Sequence, residues 1–386
     1  MSAEYRVIDL ETTIRNRGDE SIGDFAASPF HPDNIVVVGG CKDDNGDILT
    51  LFSSFPVAPP STNVLLVGQN IAFDLLYLMR DPEWREWLKT GQIWDTMLVE
   101  YLISGQERKY QSLDELAVRY GGTVKPDRIK EYWKAGIDTP DIPRDELEEY
   151  LIGDLNNTEI VFLAQLEEAD RLNMIPLIAT QMEARLATVE MEWNGMYVDK
   201  EILEVQQAAI EYSIDVLSRQ IIAEMEKHFP AIAHSVLTPN SSQQIGTMLF
   251  GGTITIDVLE DTGTKYKSGS RKGEPKFRRE KKIITIPQLL DGDTYSTKGK
   301  NGMWSVDVGV LTKIVDSAVV FMRPTSLAKQ LLQYRTLIKD LTTYYRGYSK
   351  LLWPTDGCMH PSYSHCATDT GRLSCSKPNL QQASGK

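Results

Sequence analysis

Two carboxylates, Asp9 and Glu11, stand two positions apart on the apolar run RVIDLET, Arg6–Thr12. No other feature of the sequence constrains the fold as strongly. Side chains of a strand alternate faces, so Asp9 and Glu11 share one face with Val7, and Ile8 and Leu10 point the other way into a core. Two like charges held side by side repel, and each raises the other's pKa. A lone pair of this kind is most often a solvated strand end. A divalent-cation site needs further carboxylates from elsewhere in the chain.

Two more segments offer them. In GQNIAFD, residues 68–74, Asn70 and Asp74 are four apart where a buried strand (64–70) runs into a helix. In YLIGD, Tyr150 and Asp154 are four apart on a helix predicted over 144–168. Four-residue spacing puts each pair on one helix face. Singly, an Asp in a first turn is usually a dipole or capping residue, and a Tyr at helical spacing is usually core. The order along one domain is what distinguishes them: a carboxylate pair on the first strand, NxxxD after a later strand, YxxxD on the last helix.

Strands are predicted at 5–11, 35–41, 48–52 and 64–70, and helices at 93–103, 112–120 and 144–168, with a Pro/Ser/Thr-rich loop at 56–62. Strands that then alternate with helices predict an α/β domain with a mixed sheet over residues 1–168. From about 172 the pattern turns helical. One helix ends at Asn194-Gly195, another covers 200–228, and helical pattern returns at 306–351. Residues 252–304 interrupt it with short alternating runs around a basic, Gly-rich core. The predicted organisation is 1–168, then 169–330 with the basic insert at 252–304, then 331–386. Charge divides along the same line: −17 net over Met1–Asp170 and +4 over Arg171–Lys386. The acidic half suits metal ions and the basic half a polyanion. No signal pattern and no apolar run of bilayer length is present, so no membrane partner and a cytoplasmic location are expected. The four cysteines lack metal-ligand spacing and are expected as reduced structural thiols.

IDLET, GQNIAFDLL and YLIGD together resemble the three motifs of the DEDD-superfamily 3'→5' proofreading exonuclease, tyrosine branch, of family A DNA polymerases. WDTMLVEYLI (94–103) resembles a segment between the second and third motifs, and its Asp95 is expected to support structure. The resemblance implies an RNase H-like exonuclease domain. Asp9, Glu11, Asp74 and Asp154 would hold two Mg²⁺ (or Mn²⁺), Tyr150 would orient the attacking water, and Thr12 and Asn70 would hold the terminal nucleotide of a single-stranded DNA 3' end. It continues through MEARLATVEMEWNGMYVD, LTPNSSQQIGTMLFGG and WSVDVGVLTKIV, similar to the helix opening the polymerase portion and to segments bracketing a thumb tip. LLQYRTLIKDLTTYY and HPSYSHCATDTGRLSCSKPNLQQ resemble the passage from thumb into palm. By position this implies primer–template contacts from Arg335, Lys339, Thr370, Arg372, Asn379 and Gln381.

The insert carries nine Lys/Arg between Lys265 and Lys282, opposed within that stretch by Glu274 and Glu280. It is similar to inserts of phage-type enzymes and is expected to form a β-hairpin. Lys265, Lys267, Arg271, Lys272, Arg278 and Arg279 would grip the DNA backbone. The chain stops at NLQQASGK, before the family's palm carboxylates, so primer extension is not expected from these residues alone. A truncated product, a fragment and one half of a split polymerase completed by a second polypeptide with palm and fingers remain open at this point. So does an RNA-trimming exonuclease of the same superfamily, which the TGRLS…PNLQ pattern disfavours.

Overall fold

The computed structural model describes residues 4–14, 27–52, 58–123, 128–232, 235–299, 302–317 and 323–382. The first two residues of the expected loop at 56–62 lie outside that set. The chain divides into two compact units, Met1–Asp199 with Tyr348–Lys386, and Lys200–Gly347. Compactness therefore draws its lines at 199/200 and 347/348, not at 168 and 330. The reason is local: the helix after residue 171 packs on the sheet at Gln92–Asp95, and the segment after 348 packs on that helix.

In the first unit, strands β1 (Tyr5–Thr12), β2 (Val36–Asp43), β3 (Ile48–Phe52) and β4 (Leu65–Gly68) precede helices α1 (Ala72–Leu78) and α2 (Pro82–Trp87). Strand β5 (Gln92–Asp95) leads into α3 (Thr96–Ile103), followed by α4 (Leu113–Tyr120), α5 (Arg128–Lys134), α6 (Arg144–Arg171), α7 (Ile175–Asn194) and the short β6 (Met196–Tyr197). The sheet order is β3-β2-β1-β4-β5. Strands β1, β2 and β3 run antiparallel, and β4 and β5 run parallel to β1, so the expected mixed sheet is present.

One expectation changes here. Residues 93–95 are strand rather than helix: β5 pairs with β4 from Leu65↔Gln92 to Gly68↔Asp95. A short apolar run of a buried parallel strand cannot be told from helix by periodicity. Strand β1 is covered on both faces. Val7 and Ile8 point opposite ways, yet they are 0% and 2% exposed. The face bearing Val7, Asp9 and Glu11 lies under α6. Gly40, opposite Asp9 on β2, makes that approach possible, because a Cβ there would meet Leu155 Cδ1 at 2.8 Å and Leu151 Cδ2 at 3.0 Å.

The second unit holds α8 (Lys200–His228), α9 (Ser242–Phe250), strands β7 (Gly252–Lys265) and β8 (Pro275–Ile286), α10 (Gly292–Tyr295), α11 (Val308–Asp316) and α12 (Arg323–Asp340). The helical pattern expected over 306–351 resolves into α11, α12, a π-helical stretch Leu341–Tyr345 and α13 (Arg346–Ser349). Its core joins Ile221 and Met225 of α8 to Ile245, Met248 and Leu249 of α9, and to Leu311, Leu327 and Leu331. Strands β7 and β8 form the expected hairpin, rooted in that core by Ile254, Ile256 and Ile286. Beyond it, β9 (Cys358–Met359) pairs with β6, and β10 (Ser362–Ser364) pairs with β11 (Ser374–Ser376). All four cysteines are free thiols. Among the described residues, no helix is long and apolar enough to cross a membrane.

Candidate functional site

Three elements converge on one acidic cluster. Strand β1 supplies Asp9 and Glu11 side by side, and α6, seated over Gly40, supplies Asp154. One ligand oxygen from each of the three lies within 4.8 Å of the others. Glu11 is 8% exposed, so this is not a solvated strand end. Asp74 joins from the first turn of α1. It is 3% exposed and accepts a hydrogen bond from the Leu10 N–H. Burial and then the charge of Asp9 hold its carboxyl well above the usual range, against the pull of its backbone hydrogen bonds. The structure thus groups Asp9, Glu11 and Asp154 tightly, with Asp74 as the electrostatic neighbour of Asp9.

Tyr150 stands one turn before Asp154 on α6. Its hydroxyl hydrogen-bonds to Asp154, and its ring meets Trp133 edge-on at 6.3 Å. Burial first, then the charges of Asp154, Glu11 and Asp9, drive its pKa upward. The phenol therefore stays protonated and can donate a hydrogen bond at the cluster.

The donor set fits a hard divalent cation. Such ions take carboxylate oxygens, and four carboxylates nearly balance the charge of two of them. Packing this many acids into a buried site is costly without a cation.

Around the cluster, Thr12 is buried, with its Oγ1 3.4 Å from the Thr13 carbonyl. Asn70 is exposed and has a left-handed backbone, φ +51°. Its N–H donates to Asp95 Oδ1 at 3.0 Å, and its side-chain oxygen accepts from Arg185 at 3.1 Å. Asp95 is fully buried, caps α3 through the Met97 and Leu98 N–H groups, and lies 3.5 Å from Arg185 Nε. It supports structure, as its segment suggested. Arg185 also donates to the Tyr363 carbonyl at 3.0 Å. Asn70, Asp95, Arg185 and Tyr363 line a cavity of about 480 Å³ with Phe73, Tyr110 and Glu192.

The C-terminal DNA-contact candidates Thr370, Arg372, Asn379 and Gln381 are all exposed. The loop that carries the first two is tied down by α3 and the turn after it. Tyr101 Oη donates to the Thr368 carbonyl at 2.7 Å, and Lys109 pairs with Asp369. Gln381 Nε2 donates to the Leu373 carbonyl at 3.0 Å. In the second unit Lys339 is exposed, whereas Arg335 is half-buried and its guanidinium donates to the Val306 carbonyl. The hairpin cations Lys265, Lys267, Arg271, Lys272, Arg278 and Arg279 are all exposed.

Sequence reasoning missed Gly40 and Arg185. Each left a trace: two adjacent glycines inside a strand mark a close backbone approach, and a single Arg interrupts the apolar face of MEARLATVEMEW.

Residues 286–385 match the family model for DNA polymerase family A. The chain is similar to DNA polymerase I. With that of Streptococcus pneumoniae (strain ATCC BAA-255 / R6) it shares 26% identity over 341 residues, covering 81% of this chain and 32% of the relative. With the DNA polymerase I of Pseudomonas aeruginosa it shares 23% over 321 residues, covering 82% and 29%. With that of Geobacillus stearothermophilus it shares 24% over 301 residues, covering 78% and 28%. The chain thus spans about a third of the length of these curated relatives. Among solved structures, the POL domain of Pol1 from M. smegmatis, in complex with DNA primer-template and dNTP, shares its fold. The TM-score is 0.60 at 17% identity, over 99% of this chain and 52% of that one.

Proposed function

We propose that the first unit is an RNase H-like, divalent-metal-dependent 3'→5' exonuclease that trims single-stranded DNA ends within a DNA polymerase I-like protein. The observation that carries this reading is the convergence of Asp9, Glu11 and Asp154 within 4.8 Å, with Asp74 beside Asp9. Two Mg²⁺ or Mn²⁺ held there would activate water and steady the leaving oxygen of a phosphodiester. Asp9, Glu11 and Asp154 would hold the ions, and Asp74 would complete the charge balance. Tyr150, protonated and with its one phenolic hydrogen given to Asp154, would orient the water by accepting a hydrogen bond from it. Asn70 holds the terminal nucleotide at the rim. Frayed or mismatched 3' ends are preferred, since drawing out a paired terminus costs about 1.4 kcal/mol per stacked step.

The second unit and the 364–382 segment bind primer–template DNA, through Lys339, Thr370, Arg372, Asn379 and Gln381 together with the basic hairpin. DNA is favoured over RNA as substrate by the match of 286–385 to a DNA polymerase family.

The test is release of nucleoside monophosphates from a single-stranded DNA oligonucleotide with Mg²⁺ or Mn²⁺. The Asp9→Ala/Glu11→Ala protein is expected to lose at least ~10³-fold in rate, because the metal-held water is lost with its ligands. Wild-type rates from that variant, or from wild-type protein in EDTA, would overturn the assignment.

A further inference from the structure

The basic hairpin does not spread its charge evenly. Along the sequence, only Glu274 and Glu280 oppose the nine cations of 265–282. Strand pairing adds the acids of β7. Asp257 stands opposite Lys281, Glu260 opposite Arg278, and Asp261 opposite Phe277. The Glu260 carboxylate takes Lys282 Nζ at 2.5 Å and lies 3.7 Å from Arg278. Over the stem, 252–261 with 277–286, the formal charges cancel. Residues 262–276 keep a net +4.

Those residues form an ordered turn. Tyr266 N–H donates to the Glu274 carbonyl at 3.0 Å, Gly273 N–H to Tyr266 at 2.9 Å, and Lys272 N–H to Gly269 at 3.1 Å. Arg271 is committed to this turn: its Nε is 2.9 Å from Glu274, and its guanidinium covers the Tyr266 ring at 4.6 Å. Lys265, Lys267, Lys272 and Lys276 are exposed, and among the described residues no anion pairs with them.

We propose that this tip, and not the stem, is a sequence-neutral site for the phosphate backbone of nucleic acid. The proposal rests on the DNA-binding reading above and names the part of the hairpin that performs it. Lysine ammonium groups are point charges without the rigid planar fork of arginine. The tip's one aromatic ring, Tyr266, already carries the Arg271 guanidinium over one face, which leaves it a single face for stacking a base. The four lysines act by charge neutralisation with release of counterions, which is blind to sequence.

The experiment measures binding of a fluorescent primer–template between 50 and 200 mM salt (about the range over which such contacts are resolved). It uses the full 386-residue chain carrying Asp9→Ala/Glu11→Ala, so that the DNA is not degraded. In that background the tip variant Lys265→Gln/Lys267→Gln/Lys272→Gln/Lys276→Gln is expected to flatten the log–log salt slope by about 2–4, at ~0.9 per phosphate contact. Glu260→Gln/Lys282→Gln, which removes one stem pair without changing net charge, is expected to leave the slope unchanged. Heparin, a polyanion without bases, should compete with DNA for the tip-intact protein and less well for the tip variant. DNA binding with an unchanged slope in the tip variant overturns the proposal alone, as does equal loss from the stem variant. Absence of any DNA binding by the tip-intact protein overturns the DNA-binding reading with it.

Discussion

The acidic cluster of the first unit and the basic hairpin of the second are both dense in charge, and the fold treats them oppositely. Asp9, Glu11, Asp74 and Asp154 come from three segments up to 145 positions apart; Asp9, Glu11 and Asp154 meet under a helix with Asp74 beside Asp9, and because Glu11 and Asp74 are buried and the other two half-buried, water screens their repulsion only in part. The hairpin's cations are neighbours in sequence, yet the paired strand sets acids beside three of the nine, Arg278, Lys281 and Lys282, and all face solvent. A run of charge on paper is therefore no measure of field. The field depends on what the fold places opposite each group, and on whether water reaches it.

That contrast can be broken experimentally, and the largest effect is expected at Gly40. If α6 must press onto β2 to bring Asp154 to Asp9, then Gly40→Val should push Leu151 and Leu155 outward. Overpacking of this kind costs about 1–3 kcal/mol, and the exonuclease rate should fall by about 10²-fold, since ~1 Å of misplacement is enough for that. A near-normal rate, with the urea midpoint lowered, would separate the cluster from the packing of α6. Tyr150→Phe should be milder, slowing cleavage by roughly 10-fold or more, within the usual range for one positioned group, while Mn²⁺ titration by calorimetry stays unchanged. Loss of metal affinity would make Tyr150 a structural residue of α6.

Burial against exposure can be compared in stability as well. Glu192 is 6% exposed and accepts the Tyr363 N–H at 2.6 Å. Burial pushes its carboxyl up to about 7, against the pull of that hydrogen bond and of Arg185. Between the ordinary value of 4.5 and about 7, the folded state alone holds the proton. Stability should therefore fall as pH rises through that window and level off above it, by roughly 3 kcal/mol in total. Glu192→Gln should remove this slope in urea unfolding at pH 4.5–7.5 (roughly the window set by linkage); a slope that persists would place its origin elsewhere. The smallest effect is expected from Glu260→Gln, whose solvated partners should leave the unfolding midpoint unmoved within error.

The sequence made the cluster legible because order carries information that no single motif does. A carboxylate pair on a first strand means little until NxxxD and YxxxD follow in one domain. The mixed sheet, the long helices and the hairpin were legible from periodicity. Position 93–95 was not, since two buried apolar residues and a buried Asp look alike in a short parallel strand and at the start of a helix. The cover on both faces of β1 was hidden too, because it depends on α6 arriving from 130 residues downstream. Arg185, reaching Asp95, Asn70 and Tyr363, belongs to the same class: contacts at long sequence separation leave only an oddity of composition behind. The neutral stem of the hairpin was missed because the acids that cancel it lie outside the basic run.

The pairing of β6 with β9 has a consequence for how the chain is made. Met196 meets Met359 and Tyr197 meets Cys358, with the whole of the second unit looped out between them. Closing a flexible loop of that length costs about 4–5 kcal/mol in entropy, unless the looped segment has already condensed. During synthesis the N-terminal sheet emerges first and must wait for residues 348–382 to complete its unit, while 200–347 can fold in the interval. Limited proteolysis at the hairpin tip would then yield two fragments, each holding parts of both units, that stay together until denaturant is added.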